Sequence, residues 1–243
     1  MQSKPTISPE PQWLNRLLSS LDSAGRKRVE AKIERVQLEA QQVLYRQDER
    51  ITDIYFPENC VVGMLTVMKN GASIESATVG FEGASWISAS FRSPAMPCQT
   101  MVVISGQASK VPANVIEQEI RDNGAFHNTV SHYAHVLLVQ TLRSTACNGL
   151  HDMQQRCARW MLGTLDRIGV ENFAITHEFL ANLLGVQRPG VSLLVERLAA
   201  KGVLEIRRGN IRVSDRQQLE KVSCECYGIM KEQFTKATAL KVE

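Results

Sequence analysis

What this 243-residue chain lacks narrows its class first. No apolar run approaches the ~20 residues a membrane helix needs, so no membrane partner is expected. The opening MQSKPTISPEPQW has no apolar core of the secretory kind, which makes the cytoplasm the expected compartment. No large charge excess exists: 28 Lys/Arg against 25 Asp/Glu leave +3, so the whole is not a nonspecific polycation. No Gly-rich phosphate loop, HExxH or GxSxG occurs, and no enzyme is expected. The six cysteines (Cys60, Cys98, Cys147, Cys157, Cys224, Cys226) are scattered. Without an export signal they read as reduced thiols. Cys224-x-Cys226 is too close for a zinc pair without His or Cys partners nearby, so two incidental thiols and no metal are expected.

What is present is a core-forming composition, 44% hydrophobic and 22% charged, long enough for one or two domains. The chain is organised around residues 175–202, ITHEFLANLLGVQRPGVSLLVERLAAKG. Thr176 is a good N-cap. Phe179, Leu180, Leu183 and Leu184 recur on one helical face, and Gly185 stops the helix. Val186 plugs the gap to a second periodic run, Val191, Leu194, Val195 and Leu198, which ends at Gly202. Two helices around a glycine turn predict a helix-turn-helix, whose second helix can enter a DNA major groove. Val203, Leu204 and Ile206, then Ile211 and Val213, predict a β-hairpin wing with Gly209-Asn210 as its turn. From Arg188 to Arg212 six Arg/Lys and two Glu leave a local +4, the cations that phosphate contacts need.

The expected fold class is α+β, in four parts: an N-terminal β-roll of the jelly-roll kind over 11–122, a long helix over 123–148, a winged helix-turn-helix over 149–220, and a helical extension over 221–243. Residues 1–10 are polar and loose. Trp13 to Leu21 and Ala24 to about Arg35 predict two amphipathic helices. Val43–Tyr45, Ile51–Phe56, Val61–Met68, Ser73–Val79, Thr100–Ser105 and Ala108–Val111 are strand-like, with Asn70-Gly71 a hairpin turn. A short helix over 113–122 precedes a long one from Ala125 to Asn148. That long helix is apolar on more than one side, with Val130, Ala134, Leu137 and Thr141 on one stripe and Val136, Val139 and Ala146 on another. It must be covered twice, by its own β-roll and by a second subunit. Val130, Ala134, Leu137, Leu138 and Thr141 are the expected dimer contacts. Asn148-Gly149 is the expected hinge, Asp152–Ile168 a core helix, and Asp215 caps a last helix running to about Lys236.

The phrase IT-x-E-x-L-A-x-L-L-G-V-x-R, followed by V-x-x-x-L-x-x-L-x-x-x-G-V-L, resembles the DNA-binding domain of the Crp/Fnr family of bacterial transcription regulators. The front half resembles that family's cyclic-nucleotide-binding-like effector domain, through V-L-Y at 43–45, I-x-x-I-Y-F-P at 51–57, V-V-G at 61–63 and V-G-F-E-G at 79–83. The resemblance implies a homodimer on double-stranded DNA, meeting RNA polymerase. The cyclic-nucleotide cassette is degenerate: Ala84-Ser85 stands where a ribose-binding Glu belongs, and Arg92-Ser93 is followed by Pro94. No cyclic nucleotide is expected. No cysteine precedes Cys60, so the family's N-terminal iron–sulfur cluster is not expected. His127, His132 and His135 read as helix surface rather than haem ligands.

For DNA, the resemblance aligns Arg188 with the arginine that reaches guanine through O6 and N7. Pro189 replaces an acidic residue and Leu193 a later arginine, so the preferred half-site should differ from that of the cyclic-AMP receptor. Ser192 could touch a base edge or phosphate. Thr176 and Gln187 can bond phosphates from the two helix starts, Arg207 and Arg208 should meet backbone on the wing, and Arg197 completes the set. The rival expectation is a ligand-binding or protein-interaction module with a vestigial DNA-binding domain. No motif encodes the signal, the operator, or activation against repression.

Overall fold

The computed structural model describes residues 14–85 and 95–239. Residues 1–10, Trp13 and Arg92-Ser93, on which expectations were placed, lie outside them. The described chain opens with α1 (Arg16–Ser19). Its N-cap Asn15 is buried, accepts from the Leu17 and Leu18 amides, and donates to the Pro57 and Gly83 carbonyls at 2.9 and 2.7 Å. α2 (Ser23–Glu30) stops short of the expected Arg35. Glu34–Leu38 leaves the helix to become strand β1, because it pairs antiparallel with β7 (Gly106–Pro112), Glu34 opposite Lys110 and Leu38 opposite Gly106. Only that distant partner makes a charged ERVQL a strand.

Two antiparallel sheets follow. β1, β7 and β3 (Asp53–Pro57) form one, in the order β1-β7-β3. The other has the order β2-β6-β4-β5, from β2 (Val43–Tyr45), β4 (Val61–Val67), β5 (Ser73–Val79) and β6 (Gln99–Ile104). The Asn70-Gly71 turn joins β4 to β5 as expected, with Gly71 at φ 84°. Ile54, Phe56, Val62, Val79, Met96 and Val111 fill the space between, joined by Leu17, Leu18, Phe126 and Val130 from the helices. α3 (Ala113–Asp122) leads into α4 (Gly124–Leu150), 27 residues long. α4 runs unbroken through Asn148-Gly149. The junction with the C-terminal half therefore falls at His151-Asp152, where Asp152 and Gln155 form a capping box for α5 (Met153–Ile168).

The C-terminal half holds α5, β8 (Asn172–Ala174), α6 (His177–Leu184), α7 (Arg188–Ala200), β9 (Leu204–Arg207) and β10 (Asn210–Val213). The wing is a three-stranded sheet, β8-β10-β9; the three-residue β8 is too short to announce itself in sequence. The wing turn is Arg208-Gly209, one residue earlier than expected. Arg207 pairs with Asn210, and both turn residues have positive φ, 45° and 81°, as a two-residue hairpin loop requires. The single helix expected from Asp215 to Lys236 is two, α8 (Arg216–Val222) and α9 (Cys226–Ala239), broken at 223–225. No helix among the described residues is long and apolar enough to cross a membrane.

The halves share one core. Val61, Leu65, Val103 and Ile104 of the β-roll join Trp160, Met161, Leu165, Phe179 and Leu183 in a continuous buried cluster. Gly185, in the turn between α6 and α7, has φ 62°, and a Cβ there would lie 2.9 Å from Ile74 Cδ1. Gly185→Ala is expected to lower stability by about 1–2 kcal/mol, the cost of a left-handed alanine, with the Ile74 clash added. Urea titration measures it, and a loss under ~0.5 kcal/mol, within the noise of ordinary surface changes, would mean that this turn is not seated on β5.

Candidate nucleic-acid interface

Local chemistry builds the helix pair. The Thr176 hydroxyl accepts from the Phe179 amide at 3.1 Å and closes the first turn of α6. Phe179, Leu180, Leu183 and Leu184 are buried. Gly185 reverses the chain, and the Val186 amide donates to the Ala181 carbonyl at 3.0 Å. α7 begins at Arg188 with Pro189 in its first turn, where a missing N–H costs nothing. Val191, Leu194, Val195 and Leu198 point inward; Arg188, Pro189, Leu193, Glu196 and Arg197 are left exposed.

Each expected DNA residue has a definite place. Arg188 is open to solvent and only loosely paired with Glu178, at 3.8 Å. Such an exposed pair contributes little and leaves the guanidinium free to turn. Gln187 is the N-cap of α7 but makes no side-chain cap bond, so its carboxamide is uncommitted. Thr176 is exposed although its hydroxyl serves the cap. Ser192 differs from the expectation. It is half-buried, and its Oγ lies 2.9 Å from His177 Nδ1, so it pins α7 to α6. Arg197 is exposed nine residues, two and a half turns, after Arg188 and so projects from the other flank of α7. Arg207, with 85% of its side chain exposed, and Arg208 sit on the wing.

Two residues were missed. Arg212 is exposed on β10, and with Arg207 it flanks Glu205 at 4.0 and 3.8 Å. The alternation of β10 could have shown it, since Ile211 and Val213 point inward. His177 carries no periodic signal; only the fold sets it against Ser192.

Buried polar contacts join this half to the β-roll. Arg167 Nε donates to Glu82 Oε1 at 2.7 Å, both side chains about 5% exposed, and its Nη2 to the Thr78 carbonyl at 3.2 Å. Trp160 Nε1 donates to Glu75 Oε2. Within V-G-F-E-G, Glu82 is thus spent on an ion pair between the two halves. A Cβ on Gly83 would lie 2.1 Å from the Tyr133 hydroxyl, which donates to the Ala84 carbonyl at 3.2 Å. That segment is stitched to α4 by packing.

The five expected dimer residues of α4 differ in exposure, and only Leu138 is exposed. Val130 is buried against its own β-roll, and Leu137 packs partly on the same core. Ala134 and Thr141 are half-buried. Among the exposed positions of α4, one line runs through Ser131, His135, Leu138, Leu142, Thr145 and Gly149. They recur every four and three residues, the spacing of a two-helix seam. Leu138 and Leu142 are 55% and 61% exposed at its centre. His127 and His135 are exposed and His132 half-buried on the same helix.

Residues 155–222 match the Crp-like helix-turn-helix domain family. No curated protein matches the chain in sequence. Solved structures share its fold. FixK2 from Bradyrhizobium japonicum superposes with a TM-score of 0.68 at 16% identity, covering 79% of this chain and 98% of that one. A CRP-family transcriptional regulator from Thermus thermophilus gives 0.63 at 16% identity, covering 78% and 96%. The c-di-GMP responsive global regulator CLP of Xanthomonas campestris gives 0.63 at 13% identity, covering 80% and 100%.

Proposed function

Residues 155–222 are a Crp-like helix-turn-helix domain within a Crp/Fnr-type fold, and from that premise of a DNA-binding transcription regulator we propose a homodimer that reads a palindromic operator. The observation that carries this reading is the open, cationic start of α7, with Arg188 exposed and only loosely paired, together with the exposed arginines of the wing. Pairing along the α4 seam sets two such helices about one duplex turn, ~34 Å, apart, so that each enters the major groove of one half-site.

Arg188 donates in bidentate fashion to guanine O6 and N7. Pro189 offers no acceptor for cytosine. Leu193, 49% exposed on the same helix, suits the thymine methyl instead. Arg207, Arg208 and Arg212 meet phosphates, as do Gln187 and Thr176 at the helix starts, and Arg197 adds a cation on the other flank of α7. This reading calls for no cyclic nucleotide and no iron–sulfur cluster, and RNA polymerase is the further partner at the promoter.

Binding to promoter fragments by fluorescence anisotropy tests it. Arg188→Ala should cost about 1–3 kcal/mol on the specific site and relax discrimination at one base pair. Arg208→Ala should weaken all sequences alike and lower the salt slope by about 1. An Arg188→Ala protein that bound its operator as well as the parent would show that α7 does not read the bases.

A further inference from the structure

The fold gathers four side chains that the DNA-reading face does not use. Cys147 and His151 stand one turn apart at the end of α4. Cys224 lies in the break between α8 and α9, and Cys226 opens α9. The three Sγ atoms and a ring nitrogen of His151 all fall within 4.8 Å of one another. Cys147 Sγ is 3.5 Å from Cys224 Sγ, and Cys226 Sγ is 3.8 Å from His151 Nδ1. All three cysteines are buried. The expectation of no metal rested on the lack of His or Cys partners near Cys224-x-Cys226. Tertiary structure supplies both, from 77 and 75 residues away.

We propose that Cys147, His151, Cys224 and Cys226 form a tetrahedral site for a single ion of the zinc class, clasping the C-terminal extension to the end of α4. Thiolate and imidazole donors select zinc-like ions over magnesium or calcium. With zinc–sulfur bonds of about 2.3 Å, the edge between two sulfurs of the tetrahedron is roughly 3.8 Å, close to the separations already present. The donors stand too near one another to flank a cluster of several irons.

Two neighbours fit the same reading. His151 Nε2 lies 3.0 Å from Glu225 Oε2. Donation to that carboxylate holds the proton on Nε2 and leaves the Nδ1 lone pair for the ion, the carboxylate–histidine–metal arrangement. The second neighbour is a buried cation. Arg159 is 8% exposed, its Nε has no acceptor among the described residues, and its field reaches Cys147 and Cys226. Three thiolates around a divalent ion leave a net −1, which offsets a guanidinium that burial would otherwise penalise. On binding, the thiols lose their protons to solvent. The ion would lock the His151-Asp152 junction between α4 and α5, on which the DNA-binding half hangs. None of this depends on how, or whether, α7 reads DNA.

The test uses the full-length, reduced protein reconstituted with zinc and then with cobalt. One ion per chain is expected. Cobalt should give intense thiolate-to-metal charge-transfer bands with tetrahedral d–d absorption. Cys224→Ser should remove that spectrum and weaken zinc binding more than about a hundredfold, beyond what outer-shell changes cost. Glu225→Gln should cost about tenfold. Cys98→Ser, in the β-roll core, should change neither. Alkylation of the parent protein needs no variant: zinc should protect Cys147, Cys224 and Cys226, and a chelator should expose them. A reconstituted parent that holds no ion overturns the proposal. So does a cobalt spectrum unaltered by Cys224→Ser, or a Cys147–Cys224 disulfide that survives the reductant.

Discussion

Leu138→Asp combined with Leu142→Asp is expected to split the dimer and lower operator affinity by about a hundredfold or more. Both side chains lie in water on the single chain, at 55% and 61% exposure, so the pair should leave the subunit folded. Their one evident use is against a second α4. Four aspartates facing each other across a closed seam would desolvate like charges, a cost no rearrangement within α4 can relieve. The effect on DNA follows from linkage. In a dimer the second half-site is met at high effective concentration, which multiplies affinity by about 10²–10⁴ over one arm. Light scattering should give a dimeric parent and a monomeric variant, and anisotropy should show the variant's residual binding unaffected by deleting one half-site. A parent that is monomeric at micromolar concentration would remove the basis for the seam.

Glu75→Gln is expected to stabilise the folded chain at pH 8 by on the order of 3 kcal/mol and to leave it nearly unchanged below pH 4.5. Glu75 lies on β5, buried against α5. Trp160 Nε1 donates to its Oε2, while Oε1 has no partner among the described residues. Burial raises its pKa from 4.5 to about 7, against the opposing pull of Trp160 and the nearby Arg159 and Arg167. The acid therefore keeps its proton in the folded chain between about pH 4.5 and 7, where the unfolded chain has lost it. The folded state binds more protons across that window, so stability falls as pH rises through it. The displacement corresponds to roughly 3 kcal/mol at 1.36 kcal/mol per pKa unit. Glutamine copies the protonated acid in shape and in carrying one acceptor and a donor. Urea unfolding of parent and variant at a series of pH values isolates Glu75, because every other titrating group is common to both. Parallel stability curves would mean that the Glu75 carboxyl ionises normally beneath Trp160.

The two effects concern the same device from opposite sides. In the proposed dimer the α4 seam would place the subunits relative to each other. Glu75–Trp160 and Glu82–Arg167 place each DNA-binding half against its own β-roll. A change in the β-roll that disturbs β5 would reach α5 through Glu75 and, directly through Ile74, the turn that closes α6.

The helix-turn-helix was legible from residues 175–202 alone. A cap, an apolar stripe, a left-handed glycine and a proline in a first turn are all local, and each acts within about one turn of the chain. Two strands of the wing, the hairpin at Asn70-Gly71 and the length of α5 were legible for the same reason, whereas the wing's third strand, β8, was not. Contacts between distant residues decided the rest. ERVQL is a strand because β7 lies beside it; Val130 faces its own core, and Leu138 does not, because the β-roll covers one side of α4 only. Cys147 and Cys224 meet because α9 folds back along α4. Backbone conformation over one helical turn is set by neighbours in sequence, whereas the burial of a face, the pKa of a carboxyl and the assembly of a donor set depend on which distant segment displaces the water.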